Sequence, residues 1–170
     1  KAEWRAQIRK AVDAGFRLAH LDSHQHLHAV PALWVIAARL AVEFGIPRLR
    51  RPRETCAPPP GTPWSRRLVR RGLLAIAPDP VAPGPVRWCD HFFGIAQTGH
   101  LDAGFLAWIL GRIPQGWSEL ITHPGREDEE LSRDYAWGYR WEQELEALCS
   151  GQAREQIQRQ GIELDRSADR

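Results

Sequence analysis

Strand-like segments alternate with helix-like segments along this sequence, and that order limits the fold classes it can adopt. The helix-like segments, in which apolar residues recur at helical spacing, are 3–14, 31–44, 63–75, 101–112, 139–148 and 152–160. The shorter strand-like segments are 17–24, 46–50, 86–93, 118–123 and 162–164. This alternation predicts an α/β fold with parallel strands.

The length of the chain bears on how complete that fold is. Its 170 residues are the size of one domain, and we predict a single domain over 1–170. A complete (β/α) barrel typically needs about 250 residues. We therefore expect a partial (β/α) barrel-like fold whose N-terminal strands are missing. The absence of methionine indicates that the natural start lies upstream.

Histidines are concentrated at the end of one strand-like segment. Four of the seven histidines fall within His20–His28, just before the helix that Pro31 is predicted to open. Because side chains alternate along a strand, Asp22 and His24 are predicted to share one face. Imidazole is a common zinc ligand, and a neighbouring carboxylate fixes the tautomer of a metal-bound ring. The spacing alone leaves open a metal site or a surface histidine cluster.

Another histidine closes a second strand-like segment. His123 ends the run 118–123 and is followed by Pro124 and Gly125. A histidine held at such a position can donate or accept a proton. Taken alone, the residues favour the simpler interpretation of a histidine in a turn.

The charge balance argues against a nucleic-acid partner. The chain has 23 Lys and Arg against 21 Asp and Glu, a formal net charge of +2. Arginines are frequent in 48–53 and 66–71, but Trp64 is the only aromatic residue near them that could stack on a base. We therefore interpret these arginines as a solvated face.

The cysteines and the hydropathy pattern both bear on where in the cell the protein is expected to lie. Cys56, Cys89 and Cys149 form no CxxC pair, which argues against a disulfide framework and favours a reducing cytoplasm. No apolar run approaches the roughly 20 residues of a membrane span. We expect a cytoplasmic protein without a membrane span.

The two histidine motifs together resemble the signatures of the YdjC family, which includes chitooligosaccharide and hopanoid-biosynthesis-associated deacetylases. The resemblance rests on His20–His28 with its proline-started helix and on Thr122-His123-Pro124-Gly125, and Gly161-Ile162-Glu163-Leu164 supports it. It implies a distorted barrel-like α/β fold. It also implies one divalent metal ion, zinc or magnesium, as cofactor.

The resemblance implies roles for individual residues. His24 corresponds to a metal ligand of the family, and His123 to its general acid. The family's other two ligands and its aspartate base have no counterpart in this sequence. Asp22 is expected to orient a histidine or to adjust the charge at the metal. His26 and His28 are expected to contact substrate, with His28 the next candidate for a metal ligand.

The implied activity is hydrolysis of an N-acetyl group on an amino sugar or oligosaccharide. A non-catalytic remnant and a carbohydrate-binding module are alternatives, as is another barrel-type metallohydrolase. A two-metal phosphoesterase would need more carboxylates near the histidines than Asp22 alone. Because an incomplete barrel exposes strand edges, we also expect the chain to form homo-oligomers.

Overall fold

The computed structural model describes residues 1–77, 84–126 and 128–165. The helices in these ranges are α1 (Ala2–Asp13), α2 (Pro31–Glu43), α3 (Trp64–Ile76), α4 (Ala103–Leu110), α5 (Asp128–Asp134), α6 (Trp141–Cys149) and α7 (Gly151–Arg159). The strands in these ranges are β1 (His91–Phe93) and β2 (Ser118–Leu120). Among these helices, none is both long enough and apolar enough to cross a bilayer.

Parallel strand pairing is confirmed, over shorter stretches than the sequence indicates. β1 and β2 pair in parallel, with His91 opposite Ser118 and Phe93 opposite Leu120. Segments 17–24 and 46–50 are predicted strands, but each contributes only isolated parallel bridges, Leu21 to Leu49 and Arg48 to Arg87. Segment 162–164, also predicted as a strand, has no strand pairing in the structure. The partial barrel stays a prediction.

The chain divides into two compact units, which are described separately below. Among the described residues, unit one consists of Lys1–Arg53 and the described part of Leu73–Cys89. Unit two consists of Glu54–Gly72 and the described part of Asp90–Asp165. A single domain over 1–170 stays a prediction.

Unit one is built around the apolar helix α2. Pro31 lies in its first turn, where the fixed φ of proline suits a helix and the missing N–H is not needed. Gly45, with φ of 65°, follows the helix and ends it. The buried core that α2 forms with its neighbours comprises Ile8, Trp34, Ala37, Ala38, Leu40, Ala41, Ile46, Leu49 and Val86. This core supports the extended segment that leads into the histidine cluster.

Unit two packs α4, α6 and α7 against one another. The Asp102 side chain caps α4 by accepting a hydrogen bond from the backbone N–H of Phe105 at 2.7 Å. Ser150 caps α7 by accepting from the N–H of Ala153 at 3.2 Å. The buried core comprises Phe93, Leu101, Phe105, Leu106, Ile109, Leu110, Ala147 and Ala153. It includes the end of β1 and so supports the sheet that leads to His123.

A buried carboxylate fixes the loop after β1 in unit two. Glu54 accepts hydrogen bonds from the backbone N–H groups of Gly94 at 2.8 Å and Ala96 at 3.1 Å. Arg70 lies 3.7 Å from Glu54 and donates to the carbonyls of Thr55 and Cys56. Arg70 is 9% exposed, so the interpretation of the arginines as a solvated face is wrong at this position. Buried charges need such partners, and here they tie a loop to a helix.

Candidate functional site

The histidine cluster lies in a tight turn and not on a strand. His24–Ala29 forms a 3₁₀ helix, and Gln25 and His26 have left-handed backbone conformations with φ of 50° and 54°. Because non-glycine residues rarely adopt such angles, this turn depends on its side-chain contacts. The predicted alternation of side chains therefore ends at Ser23, whose backbone is still extended.

Asp22 is the electrostatic centre of this turn. Its carboxylate accepts from Arg50 Nη1 at 2.6 Å and from the backbone N–H of Ser23 at 2.8 Å. The Nδ1 atom of His26 lies 3.2 Å from the same carboxylate. Burial raises the pKa of Asp22, but His26, Arg50 and the Ser23 N–H together lower it to about 2. Asp22 is therefore ionised at neutral pH, and His26 is within hydrogen-bonding distance of it, whereas Nδ1 of His28 lies slightly farther away, at 3.6 Å.

His28 is fully buried, at 0% exposure, and its ring lies stacked near Trp34 at a centroid distance of 6.0 Å. Nε2 lies 2.7 Å from the carbonyl oxygen of Arg50, which can only accept, so Nε2 carries the proton. Nδ1 then accepts from the Ser23 hydroxyl at 2.7 Å. Burial lowers the pKa of His28, which keeps the ring neutral. These contacts favour a structural role over the substrate contact or metal ligand that the sequence suggests.

Among the histidines of the turn His24–Ala29, His24 is the exposed one. Its side chain is exposed and lines a cleft of about 210 Å³ in unit one. Asp22 and Leu27 line the same cleft, together with Trp4 and Gln7 from α1. An exposed imidazole beside an ionised carboxylate is suited to binding a divalent metal.

The described residues do not by themselves make up a metal site. No three His, Cys, Asp or Glu side chains in the described part of the chain are grouped so that they could hold a metal ion. A zinc ion usually takes three or four protein ligands. The described residues therefore offer fewer than three such donors together, and His24 is the exposed histidine among them in this turn.

His123 lies just after β2 in unit two, where its backbone is held by a buried carboxylate. Its backbone N–H donates to Oε2 of Glu144 at 2.6 Å. The other oxygen of Glu144 accepts from the backbone N–H of Leu101 at 3.2 Å, and Glu144 is 0% exposed. The His123 ring meets the ring of Tyr139 edge-on, with centroids 5.1 Å apart. One carboxylate thus fixes the position of the histidine, and one aromatic ring contacts its imidazole.

Sequence reasoning did not single out Glu144 or Tyr139 as site residues. A signal for Glu144 is present, because it shares the buried face of α6 with Trp141 and Ala147 at spacings of three residues. An acid within such an apolar face is rarely buried without hydrogen-bond partners. Tyr139 carries no comparable signal, since its contact with His123 depends on the fold.

Comparisons with known proteins agree with these motifs. The profile of the family described as YdjC-like protein matches residues 1–159. A carbohydrate deacetylase of Oceanobacillus iheyensis is 29% identical over 156 residues, which are 92% of this chain and 56% of that protein. A human carbohydrate deacetylase is 28% identical in an alignment 166 positions long that covers 85% of this chain and 51% of that protein.

A solved structure is similar over nearly the whole chain. It is a candidate cellobiose-phosphate cleavage protein from Enterococcus faecalis V583, with a TM-score of 0.67 and 25% identity. The match covers 99% of this chain and 59% of that one, and the chain likewise spans only about half the length of the curated relatives. Because the profile match covers most of the chain, we conclude that it belongs to the YdjC-like protein family.

Proposed function

We propose that this chain is part of a metal-dependent carbohydrate deacetylase that removes an N-acetyl group from an amino sugar or oligosaccharide. The relatives named carbohydrate deacetylase support the reaction class. The observation that carries the proposal is the exposed imidazole of His24 on a cleft beside the ionised carboxylate of Asp22.

In this proposal His24 is a ligand of one divalent ion, zinc or magnesium. Such an ion, when bound, polarises a carbonyl oxygen and lowers the pKa of water from 15.7 to about 7. Asp22 contacts His26 and carries a negative charge, so it orients that ring and adds to the field around His24. His26 contacts the substrate, whereas His28 holds the turn through Ser23 and Arg50.

His123 is proposed to be the general acid. Hydrolysis of the amide forms a bond between the oxygen of a water molecule and the acetyl carbon, and the aspartate base that the family resemblance implies, which has no counterpart in this sequence, would take the proton of that water. The bond between the acetyl carbon and the sugar nitrogen then breaks, and the nitrogen must gain a proton to leave as an amine. An imidazolium supplies that proton and becomes neutral. General acid catalysis of this kind typically contributes about 10²–10⁴ in rate. The hydrogen bond from the His123 backbone to Glu144 supports the role by fixing the position of the donor.

The test compares His24→Ala, His123→Ala and His20→Ala in the intact protein. Acetate release from N-acetylated chitooligosaccharides and bound metal are measured for each variant. His24→Ala should lose both metal and activity, whereas His123→Ala should keep the metal and turn over about 10²–10⁴ more slowly. His20 is exposed in the same segment and serves as the matched control, with no expected change in either readout.

Two outcomes would contradict the proposal. Full activity in His24→Ala would remove the metal role of that residue, and unchanged turnover in His123→Ala would remove His123 as general acid. If the intact protein binds chitin oligomers without metal and releases no acetate, the alternative of a carbohydrate-binding module is supported instead.

A further inference from the structure

The first half of α3 belongs to unit two and carries apolar side chains on its outer side. Trp64, Leu68 and Val69 are 78%, 61% and 58% exposed, and they are called the outer face of α3 here. Arg70 of the same helix points inward instead, with its Nε atom 3.7 Å from the buried carboxylate of Glu54. A surface helix normally buries its apolar side and exposes its charges. The outer face therefore has the character of a contact surface.

Hydrogen bonds on the inner side of α3 fix this orientation. Arg70 donates to the carbonyl oxygens of Thr55 and Cys56, both at 3.0 Å. An α-helix turns by about 100° per residue, so Leu68 lies about 200° around the helix from Arg70, on the opposite side. Trp64 precedes Leu68 by four residues and therefore lies on the same side as Leu68. Turning the outer face inward would separate Arg70 from its buried partners, which is costly for a charged group.

Positive charge borders the outer face. Arg67 and Arg71 are both exposed and lie one helical turn apart, on the same side as Trp64. The guanidinium of Arg67 donates to the carbonyl oxygen of Thr62 at 2.9 Å, and this neutral acceptor leaves the positive charge in place. No acidic residue occurs anywhere in 55–77. The outer face is therefore an apolar surface with a cationic border.

An anionic bilayer presents the complementary surface. Aromatic and aliphatic side chains enter the boundary between headgroups and acyl chains, while arginines beside them meet the lipid phosphates. Tryptophan suits that boundary because its ring is apolar and its N–H is polar. With 13 residues, α3 is about 20 Å long and would lie along such a surface. A second copy of the chain fits less well, because a symmetric contact would bring Arg67 and Arg71 close to the same arginines of the partner.

We propose that the outer face of α3 docks the protein reversibly on an anionic phospholipid membrane. Trp64 and Leu68 enter the boundary between headgroups and acyl chains, and Arg67 and Arg71 contact the lipid phosphates. A surface of this size supports transient attachment and not permanent anchoring. The inference is independent of the proposed function, since it concerns where the protein works and not which bond it cleaves.

The test measures how the intact protein co-sediments with vesicles. One set is phosphatidylcholine alone, and the other contains phosphatidylglycerol as well, each over a series of lipid concentrations. The wild-type protein should bind the anionic vesicles and lose that binding at high salt, with little binding to the neutral ones. Arg71→Gln should weaken binding to the anionic vesicles about fivefold, the scale of one arginine at a charged bilayer surface. Leu68→Asp should remove the binding.

Each variant has a matched control outside the outer face. Phe16→Asp makes the same kind of change as Leu68→Asp, because Phe16 is 67% exposed and lies in unit one. Arg159→Gln removes an exposed charge at the end of α7 and matches Arg71→Gln. Both controls should bind anionic vesicles as the wild-type protein does. If Leu68→Asp fails to fold, the comparison of the two arginine variants still decides.

Three results would overturn the inference. The first is a wild-type protein that does not bind the anionic vesicles. The second is equal binding by each variant and its control, which would place the membrane contact elsewhere on the protein. The third is a dimer in sedimentation velocity that Leu68→Asp converts to a monomer without any vesicle binding, which would show that a second copy covers the outer face.

Discussion

Removing the carboxylate of Glu144 should destabilise unit two more than any exposed substitution on the same helix. Its two oxygens accept from the backbone N–H groups of Leu101 and His123, and Glu144 is fully buried. Each buried donor left without a partner costs about 1–3 kcal/mol, so Glu144→Ala should lower the free energy of unfolding by about 2–6 kcal/mol. Glu144→Gln keeps one acceptor oxygen and turns its amide toward the other N–H, so about half that loss is expected.

Urea denaturation of the intact protein, followed by circular dichroism, measures these differences. The control is Glu146→Ala, since Glu146 is exposed on α6 and its loss should stay within about 0.5 kcal/mol of wild type. A second readout is deacetylation, in which Glu144→Gln should lower kcat through the displaced His123 backbone and leave bound metal unchanged. If Glu144→Ala unfolds at the same urea concentration as Glu146→Ala, the assignment of Glu144 as the anchor of both segments is refuted.

Two further predictions concern the turn in unit one. Asp22→Asn weakens the ion pair with Arg50, whose atoms lie 2.6 Å apart, and should lower the free energy of unfolding in urea by about 1.5–3 kcal/mol. The control is Asp13→Asn, which should leave the free energy of unfolding almost unchanged because Asp13 is exposed. Burial lowers the pKa of His28 below the ordinary value of 6.5 that it has in the unfolded chain. As the pH drops through 6.5, the unfolded state therefore binds a proton that the folded state does not, and the free energy of unfolding falls. His28→Gln should show a shallower fall over the same pH range, and identical slopes would contradict this role.

The helices could be predicted because their signals are local. Pro31 and Gly45 bracket α2 in the sequence, and the helix occupies Pro31–Glu43 within one residue of the predicted end. The helix predicted over 101–112 is also present as α4, but it begins after Asp102, which caps it and was placed inside the helix by the prediction. Such signals act within a few residues of the helix end, so the sequence displays them directly.

The turn at the histidine cluster could not be predicted for the opposite reason. Alternation from Leu18 to His24 suggests a strand, but the contacts that decide the conformation involve Arg50, 28 residues after Asp22. The role of His28 depends on the same distant backbone, through the carbonyl of Arg50. The sequence predicted which residues carry polar chemistry here, and the packing decides which of them remain accessible.

The left-handed residues Gln25 and His26 restrict which substitutions this turn can tolerate. Each costs about 1–2 kcal/mol relative to a right-handed conformation, and glycine would remove that cost. Position 25 can therefore drift toward glycine or asparagine with a gain in stability. At position 26 the same change would delete the imidazole that lies 3.2 Å from Asp22. Among proteins with this turn, we therefore expect glycine or asparagine to occur at position 25 and the histidine at position 26 to be kept.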